Sequence, residues 1–430
     1  MKGFLVVLLI VLFAFSASAQ WTFVKVFPDT NLSFPSGINN GIATDPAGNV
    51  WLQPYSGAAD SIVVGGVTVK YTGPIRVYNP SGTEVSFSPI KFITVGGVQD
   101  TVSGSGYGMT TDQNGNIISL KGSTTLYRIN YKTGVGMNKK ISPIPGYTSS
   151  MVTPAVDAAG EVFAAAVSPG YGAIVLNADF SSAGTTIKDT VLGYGRSIAV
   201  SADAKDVYLP RFDLRAVLHY HSASGSIGPY TFVDSLMKGL VVENSVWDKH
   251  GLLWVTSGNI TSGMPDSGLY KGYTEYAYNV TNKKIVDSIT WHGDLSADPR
   301  PRGIAFSPTG DTAYVAVFNI GKSFVQMFKR GTTGVKTEPG VVVREYALSQ
   351  NYPNPFNPST EIKFSLSTGG YTTLRVYDVL GREVSTLVNE RLNSGAFSVT
   401  FDARNIPSGT YFYTLNVDGR QISKKMMLLK

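Results

Sequence analysis

With 430 residues and no cysteine, the chain is long enough for two or three domains but has no disulfide, thiolate metal site or thiol nucleophile to draw on. Its net charge of +6 comes from scattered lysines and arginines, without the concentrated basic face that nucleic acid requires. Forty-six glycines beside 23 tyrosines, 21 phenylalanines and only 15% charged residues predict short strands joined by tight turns, hence an all-β protein.

Residues 1–20 place Lys2 before an apolar run over 4–15 and the small residues Ala17, Ser18 and Ala19. That is the layout of a secretory signal peptide, with cleavage expected between Ala19 and Gln20. The run is short for a permanent membrane helix, and no cysteine follows it to carry a lipid. No later stretch is apolar enough for a transmembrane segment, so a mature chain beyond the inner membrane is expected.

Residues 41–51 read GIATDPAGNVW: a short apolar strand, a tight turn on Asp and Gly, and a second apolar strand. Imperfect copies recur as GMTTDQNGNII (108–118), PAVDAAGEVF (154–163), SIAVSADAKDVY (197–208), SVWDKHGLLW (245–254) and GIAFSPTGDTAY (303–314). The turn glycine or its equivalent falls at Gly48, Gly115, Gly160, Ala204, Gly251 and Gly310, with spacings of 67, 45, 44, 47 and 59 residues. Periods of about 40 to 50 residues with four strands each predict a β-propeller of six blades over 20–331. A hairpin at 61–71, turning on Gly65 and Gly66, lengthens the first repeat; if it belongs to a blade of its own, the count is seven. An insert at 257–273 lengthens the fifth. A ring must hide its sheet edges, and WTFVKVF (21–27) has no partner in its own repeat, so it is expected to complete the last blade.

The stretch RPRGIAFSPTGDTAYVAVFN (300–319) resembles the repeat of surface-layer (YVTN) and lactonase-type propellers, a group that includes NHL and gluconolactonase-like proteins. The resemblance supports the fold more than an activity.

The innermost strand of each propeller blade lines a central channel, and ligands sit at one mouth of it. Alignment of the copies puts Asn40, Tyr107, Thr153, Arg196, Asn244 and Arg302 just before that strand. Two arginines among them form a candidate anion site, because guanidinium forks match carboxylate and phosphate; the bland alternative is pairing with loop carbonyls. A gluconolactonase-like metal, such as a channel Ca2+, needs converging Glu, Asn and Asp oxygens. Glu243 with Asn244 is the one such pair, no matching Asp stands in the other copies, and no metal or cofactor is expected. His219 and His221 have strand spacing and share a face, a possible chelating pair or a merely satisfied one; His250 sits in a turn and His292 stands apart. Asp45, Asp112, Asp157 and Asp248 read as turn formers.

Residues 332–347 mix Gly, Pro and charge without a core pattern and read as a linker. Beyond them, 348–430 hold about seven alternating strands, the pattern of a small immunoglobulin-like β-sandwich. This block resembles the type A C-terminal sorting domain of the type IX secretion system of Bacteroidetes and related bacteria. The motifs stand in order: YPNPFNPST (352–360, with Tyr352, Pro353, Asn354, Pro355, Asn357 and Pro358), VYDVLGREV (376–384, with Asp378 and Gly381), and SGTYFY (408–413, with Gly409) leading to the terminal KKMMLLK. The resemblance implies export through that translocon, across the periplasm of a Gram-negative bacterium to the outer surface or the medium. The expected function is a secreted or surface propeller that binds an unknown ligand; the alternative is a lactonase-like or lyase-like enzyme working at the channel mouth.

Overall fold

The computed structural model describes residues 21–28, 41–54, 59–64, 67–102, 106–122, 124–141, 150–168, 172–187, 194–257, 270–293, 300–318, 325–330, 336–338, 343, 345–404 and 406–430. The expected cleavage site at Ala19 and Gln20, and Asn40, lie outside the described residues. The chain divides into two compact units, Trp21–Arg330 and one that contains Gly331–Lys430. Among the described residues there is no α-helix, only a three-residue 3-10 turn at Gly225–Ile227.

In the first unit six small antiparallel sheets follow one another along the chain. The first consists of Ile42–Thr44, Val50–Leu52 and Arg76–Tyr78. The second runs Gly106–Thr111, Ile117–Lys121, Thr125–Ile129 and Gly136–Ile141, and the third Ala155–Val156, Val162–Ala165, Ala173–Leu176 and Ser182–Ile187. The fourth takes Ala199–Val200, Asp206–Arg211, Ala216–His221 and Thr231–Leu236; the fifth takes Val242–Trp247, Leu253–Ser257, Thr274–Asn279 and Lys284–Thr290. The sixth has Arg300–Phe306, Thr312–Phe318 and Val325–Arg330, and its fourth strand is Trp21–Phe27 from the start of the chain. That strand pairs from Trp21 with Arg330 to Phe27 with Val325, as ring closure demands. Trp21 fixes it further, donating its indole N–H to Asp287 at 3.0 Å and meeting Trp254 edge-on at 5.9 Å, both in the fifth sheet.

The first strands of the six sheets touch in a closed cycle, the sixth returning to the first, which makes the arrangement propeller-like. Hydroxyls stitch neighbours together across this cycle. Thr44 Oγ1 donates to Phe306 O, Thr111 Oγ1 to Thr44 O and Thr153 Oγ1 to Tyr107 O, while Ser197 Oγ accepts the Ser245 N–H. The middle strands of each sheet are buried on both faces, so they read as nearly continuous apolar runs. Ile118 and Leu120 of the second sheet pack on Ala164 and Leu176 of the third, whereas Ile117 faces Trp51 and Val77 of the first.

The fourth position of the first sheet is irregular. Val85 donates to Val77 O and Ile90 to Ile75 O, and Ser88 Oγ accepts the Val77 N–H where a ladder carbonyl would stand. The hairpin expected at 61–71 forms from Ala59–Val64 and Val67–Thr72, which pair with each other, as do Phe92–Val95 and Val98–Thr101.

At one end of the cycle the repeated Asp turns interlock. Asp45 Oδ1 accepts the N–H of Ala47 and Asn49, and its Oδ2 takes the Trp51 indole at 2.9 Å; Asp248 does the same for His250, Leu252 and Trp254. The residue after the turn Asp then lies on the turn glycine of the next sheet. A Cβ added at Gly115 would overlap Pro46, one at Gly160 would overlap Gln113, and one at Gly310 would press on Lys249. Where the preceding residue is the small Ala158, the next turn carries Ala204 at φ 57° instead of glycine.

The second unit has two four-stranded sheets around one core. One holds Lys336–Glu338, Gly395–Asp402, Ser359–Leu366 and Ala347–Leu348; the other holds Glu383–Leu392, Gly370–Tyr377, Gly409–Val417 and Arg420–Leu428. Ile362, Phe364, Leu374, Tyr413 and Met426 meet between them. Lys336–Glu338, inside the segment expected to be a linker, is an edge strand paired with Gly395–Asp402. Its three residues are too few to show a period in the sequence.

Candidate functional site

A cavity of about 340 Å3 runs along the axis of the first unit, lined by residues from the first strand of all six sheets. Its ionisable lining residues are Asp248, whose carboxylate is committed to its own turn and to Trp254, and Lys249. The interlocked turns stand at one end, where Asp248, Lys249, Ser307 and Pro308 line it. At the other, where each first strand begins, stand the residues expected at the mouth.

Three of the first strands carry a bulge there. Gly106 and Gly108 pair with Lys121 and Leu120, Val242 and Asn244 with Ser257 and Thr256, and Pro301 and Gly303 with Val317 and Ala316. The extra residues are Tyr107, Glu243 and Arg302, each five positions before its turn residue, Asp112, Asp248 or Ser307. A bulge frees one residue from the ladder and re-aims its side chain. Arg196, five positions before Ser201, belongs to the same set. Counting back the same distance gives Val152 and Glu243 in the third and fifth sheets, one residue before the expected Thr153 and Asn244.

The two arginines meet at Glu243. Its carboxylate is fully buried, with Oε1 3.1 Å from Arg302 Nη2 and Oε2 3.5 Å from Arg196 Nε. Each guanidinium also stacks on an aromatic ring of its own sheet, Arg196 on Phe212 at 5.0 Å and Arg302 on Phe318 at 4.2 Å. Arg302 is nearly covered, while a third of the Arg196 side chain faces solvent. Thr153 and Asn244 line the cavity instead; Thr153 bonds the Tyr107 carbonyl, and Asn244 Oδ1 accepts the Ser245 N–H at 2.8 Å.

Other ionisable groups have local roles. His219 Nε2 and His221 Nδ1 both approach Asp206 Oδ1, at 2.8 and 2.9 Å, and His219 Nδ1 lies 3.1 Å from Asp234. A Lys283 hydrogen bond to Asp234 holds that carboxyl below its ordinary range. Among the described residues no group of three or more His, Cys, Asp or Glu is arranged to hold a metal. Asp157 has Phe163 where Asp45 has Trp51, so no indole reaches it; burial, with Glu161 beside it, pushes its carboxyl up to about 6. Glu275 is buried in the fifth sheet without a hydrogen bond, and desolvation raises it well above the carboxylate range.

In the second unit the expected motif residues converge. Pro353 O accepts from Asn351 and Thr360, Asn354 Oδ1 accepts the Met427 N–H, and Pro358 O accepts the Ala403 N–H. Between Pro355 and Asn357, the buried Phe356 exchanges backbone bonds with Met427 and Leu429. Asp378 and Gly381 form a turn, Gly409 pairs with Leu428, and Tyr352 is 81% exposed.

Residues 350–429 match the family of secretion system C-terminal sorting domains, which marks the chain for the type IX secretion machinery. No curated protein matches the chain. Among solved structures it is similar to PorZ, an essential surface component of the type IX secretion system of Porphyromonas gingivalis, at 12% identity and a TM-score of 0.46. That match covers 91% of this chain and 52% of PorZ, so the chain spans about half the length of that relative. A second similar structure, of a protein proposed as a gluconolactonase, shows 11% identity and a TM-score of 0.46, with 72% of this chain and 98% of that one covered. Among the described residues no helix is long and apolar enough to cross a membrane.

Proposed function

We propose that the protein is a six-bladed β-propeller that binds a small anionic ligand at the mouth of its axial cavity, displayed at the cell surface or released by its immunoglobulin-like sorting domain. The closed cycle of six first strands supports the blade count, and the two separate hairpins, each paired only with itself, support insertion over a seventh blade. Two sheets around one core support the sandwich.

The observation that carries the binding reading is the meeting of Arg196 and Arg302, from two different sheets, on the buried Glu243 at the end where the first strands begin, with a third of the Arg196 side chain open to solvent. Glu243 holds both guanidiniums in place, and two guanidinium forks fixed near the cavity suit a carboxylate, sulfate or phosphate. Binding is favoured over the lactonase-like alternative because each Glu243 oxygen already faces a guanidinium, where that chemistry needs a metal.

The test is a thermal-shift screen with carboxylated, sulfated and phosphorylated sugars, followed by titration of the best binder. Arg196→Gln, at a position one-third open to solvent, should leave the fold intact and weaken binding about tenfold, the scale of one charge-assisted hydrogen bond. Equal affinity in the variant, or a wild type indifferent to the whole panel, would remove the anion reading.

A further inference from the structure

The Asp turn of the first unit returns once in the second, as Asp378, Val379, Leu380 and Gly381. It is held in the same way. Asp378 Oδ1 accepts the N–H of Leu380 and of Arg382, each at 2.9 Å, Oδ2 takes Arg382 Nε at 2.7 Å, and Gly381 at φ 77° donates to Asp378 O.

The tips differ. In the first unit they carry Pro46 and Ala47, or Lys249 and His250, residues that are polar, small or packed on the next glycine. Here they carry Val379 and Leu380, 67% and 73% exposed. A turn so constrained cannot fold these side chains away, and two fixed aliphatic groups in water are unfavourable until something covers them. More apolar surface lies at the same end of the sheet. Tyr377 pairs with Phe412 and Gly409 with Leu428, which brings Phe412, Met427 and Leu429, exposed by 40%, 37% and 52%, beside the turn. Lys425, opposite Phe412, and Lys430 give the patch a basic border, while Arg382 is paired with Asp378.

We infer that this end of the second unit is its docking face for the secretion machinery, and that the receiving component offers an apolar pocket with an acidic rim into which Val379 and Leu380 insert. The inference rests on the identification of residues 350–429 as a sorting domain. Rigid apolar anchors suit this role because little entropy remains to be lost when they bind.

The test uses the full chain in a host that has type IX secretion. V379S/L380S should lower the amount at the surface and in the medium about tenfold, with accumulation in the periplasm. Its melting temperature should stay that of the wild type, since both side chains are solvent-exposed. A control pair of similar exposure, F232S/V233S on the outer strand of the fourth sheet, should be exported normally. A chain lacking 348–430 should remain inside. If that truncated chain is still exported, the sorting identification fails; if it is retained but V379S/L380S is exported like the wild type, the docking face alone is overturned. A wild-type dimer in sedimentation that V379S/L380S dissolves would assign the face to a second copy and overturn the proposal.

Discussion

The two ends of the first unit handle their polar groups in opposite ways. At the turn end Asp45 and Asp248 are saturated by local N–H groups and an indole, and neighbouring turns fit by shape, proline or lysine against glycine. At the mouth a buried carboxylate is shared by two arginines from different sheets, and another, Glu275, has no hydrogen bond. The turn end spends sequence on geometry, and the mouth concentrates charge that burial makes unfavourable unless paired. Segregation of this kind is expected when one end serves the fold and the other is kept for a ligand.

The largest effect should follow removal of what holds both ends together. Deletion of 21–27 leaves Val325–Arg330 as an open edge and strips Asp287 and Arg330 of Trp21. Loss of a cooperative calorimetric transition is expected; an unchanged melt would mean that the ring closes without this strand. A smaller effect tests the interlock. Gly115 and Gly251 share the left-handed backbone, at φ 84° and 76°, but a Cβ overlaps Pro46 at the first and meets nothing at the second. Urea unfolding should show a cost of about 3 kcal/mol for Gly115→Ala against about 1 kcal/mol for Gly251→Ala. Equal costs would show that only backbone conformation matters at this end.

The smallest effect concerns Asp157, the turn carboxylate without an indole. Its folded-state value is raised from 3.8 to about 6, so its contribution is complete below about pH 3.8 and is lost as pH rises through about 6. Asp157→Asn keeps the turn acceptor and removes the titration. The variant should gain stability on the wild type progressively as pH rises from 4 to 7, read from melting at each pH. A gain independent of pH would place the cause elsewhere.

What could be read from the sequence followed from range. The turns were legible because Asp and its N–H partners lie within four residues, and the closing strand because its alternation had no local partner. The mouth was legible only in part. Arg196 and Arg302 emerged from alignment, but the alignment of apolar residues set the fifth copy one residue late, on Asn244, and Glu243 was read as half of a metal pair, its link to both arginines unseen. A count back from Asp248 instead of an alignment of apolar residues would have found it. The strand Lys336–Glu338 was not legible because its partner Gly395–Asp402 is about 60 residues distant.

The placement of Trp21–Phe27 beside Val325–Arg330 also fixes an order of events. This strand is made before the rest of the ring, yet its berth does not exist until some 300 residues later, so the earliest-made piece of the ring is the last to settle. Until that moment the ring keeps an open edge, so its cooperativity waits for the whole unit to be made.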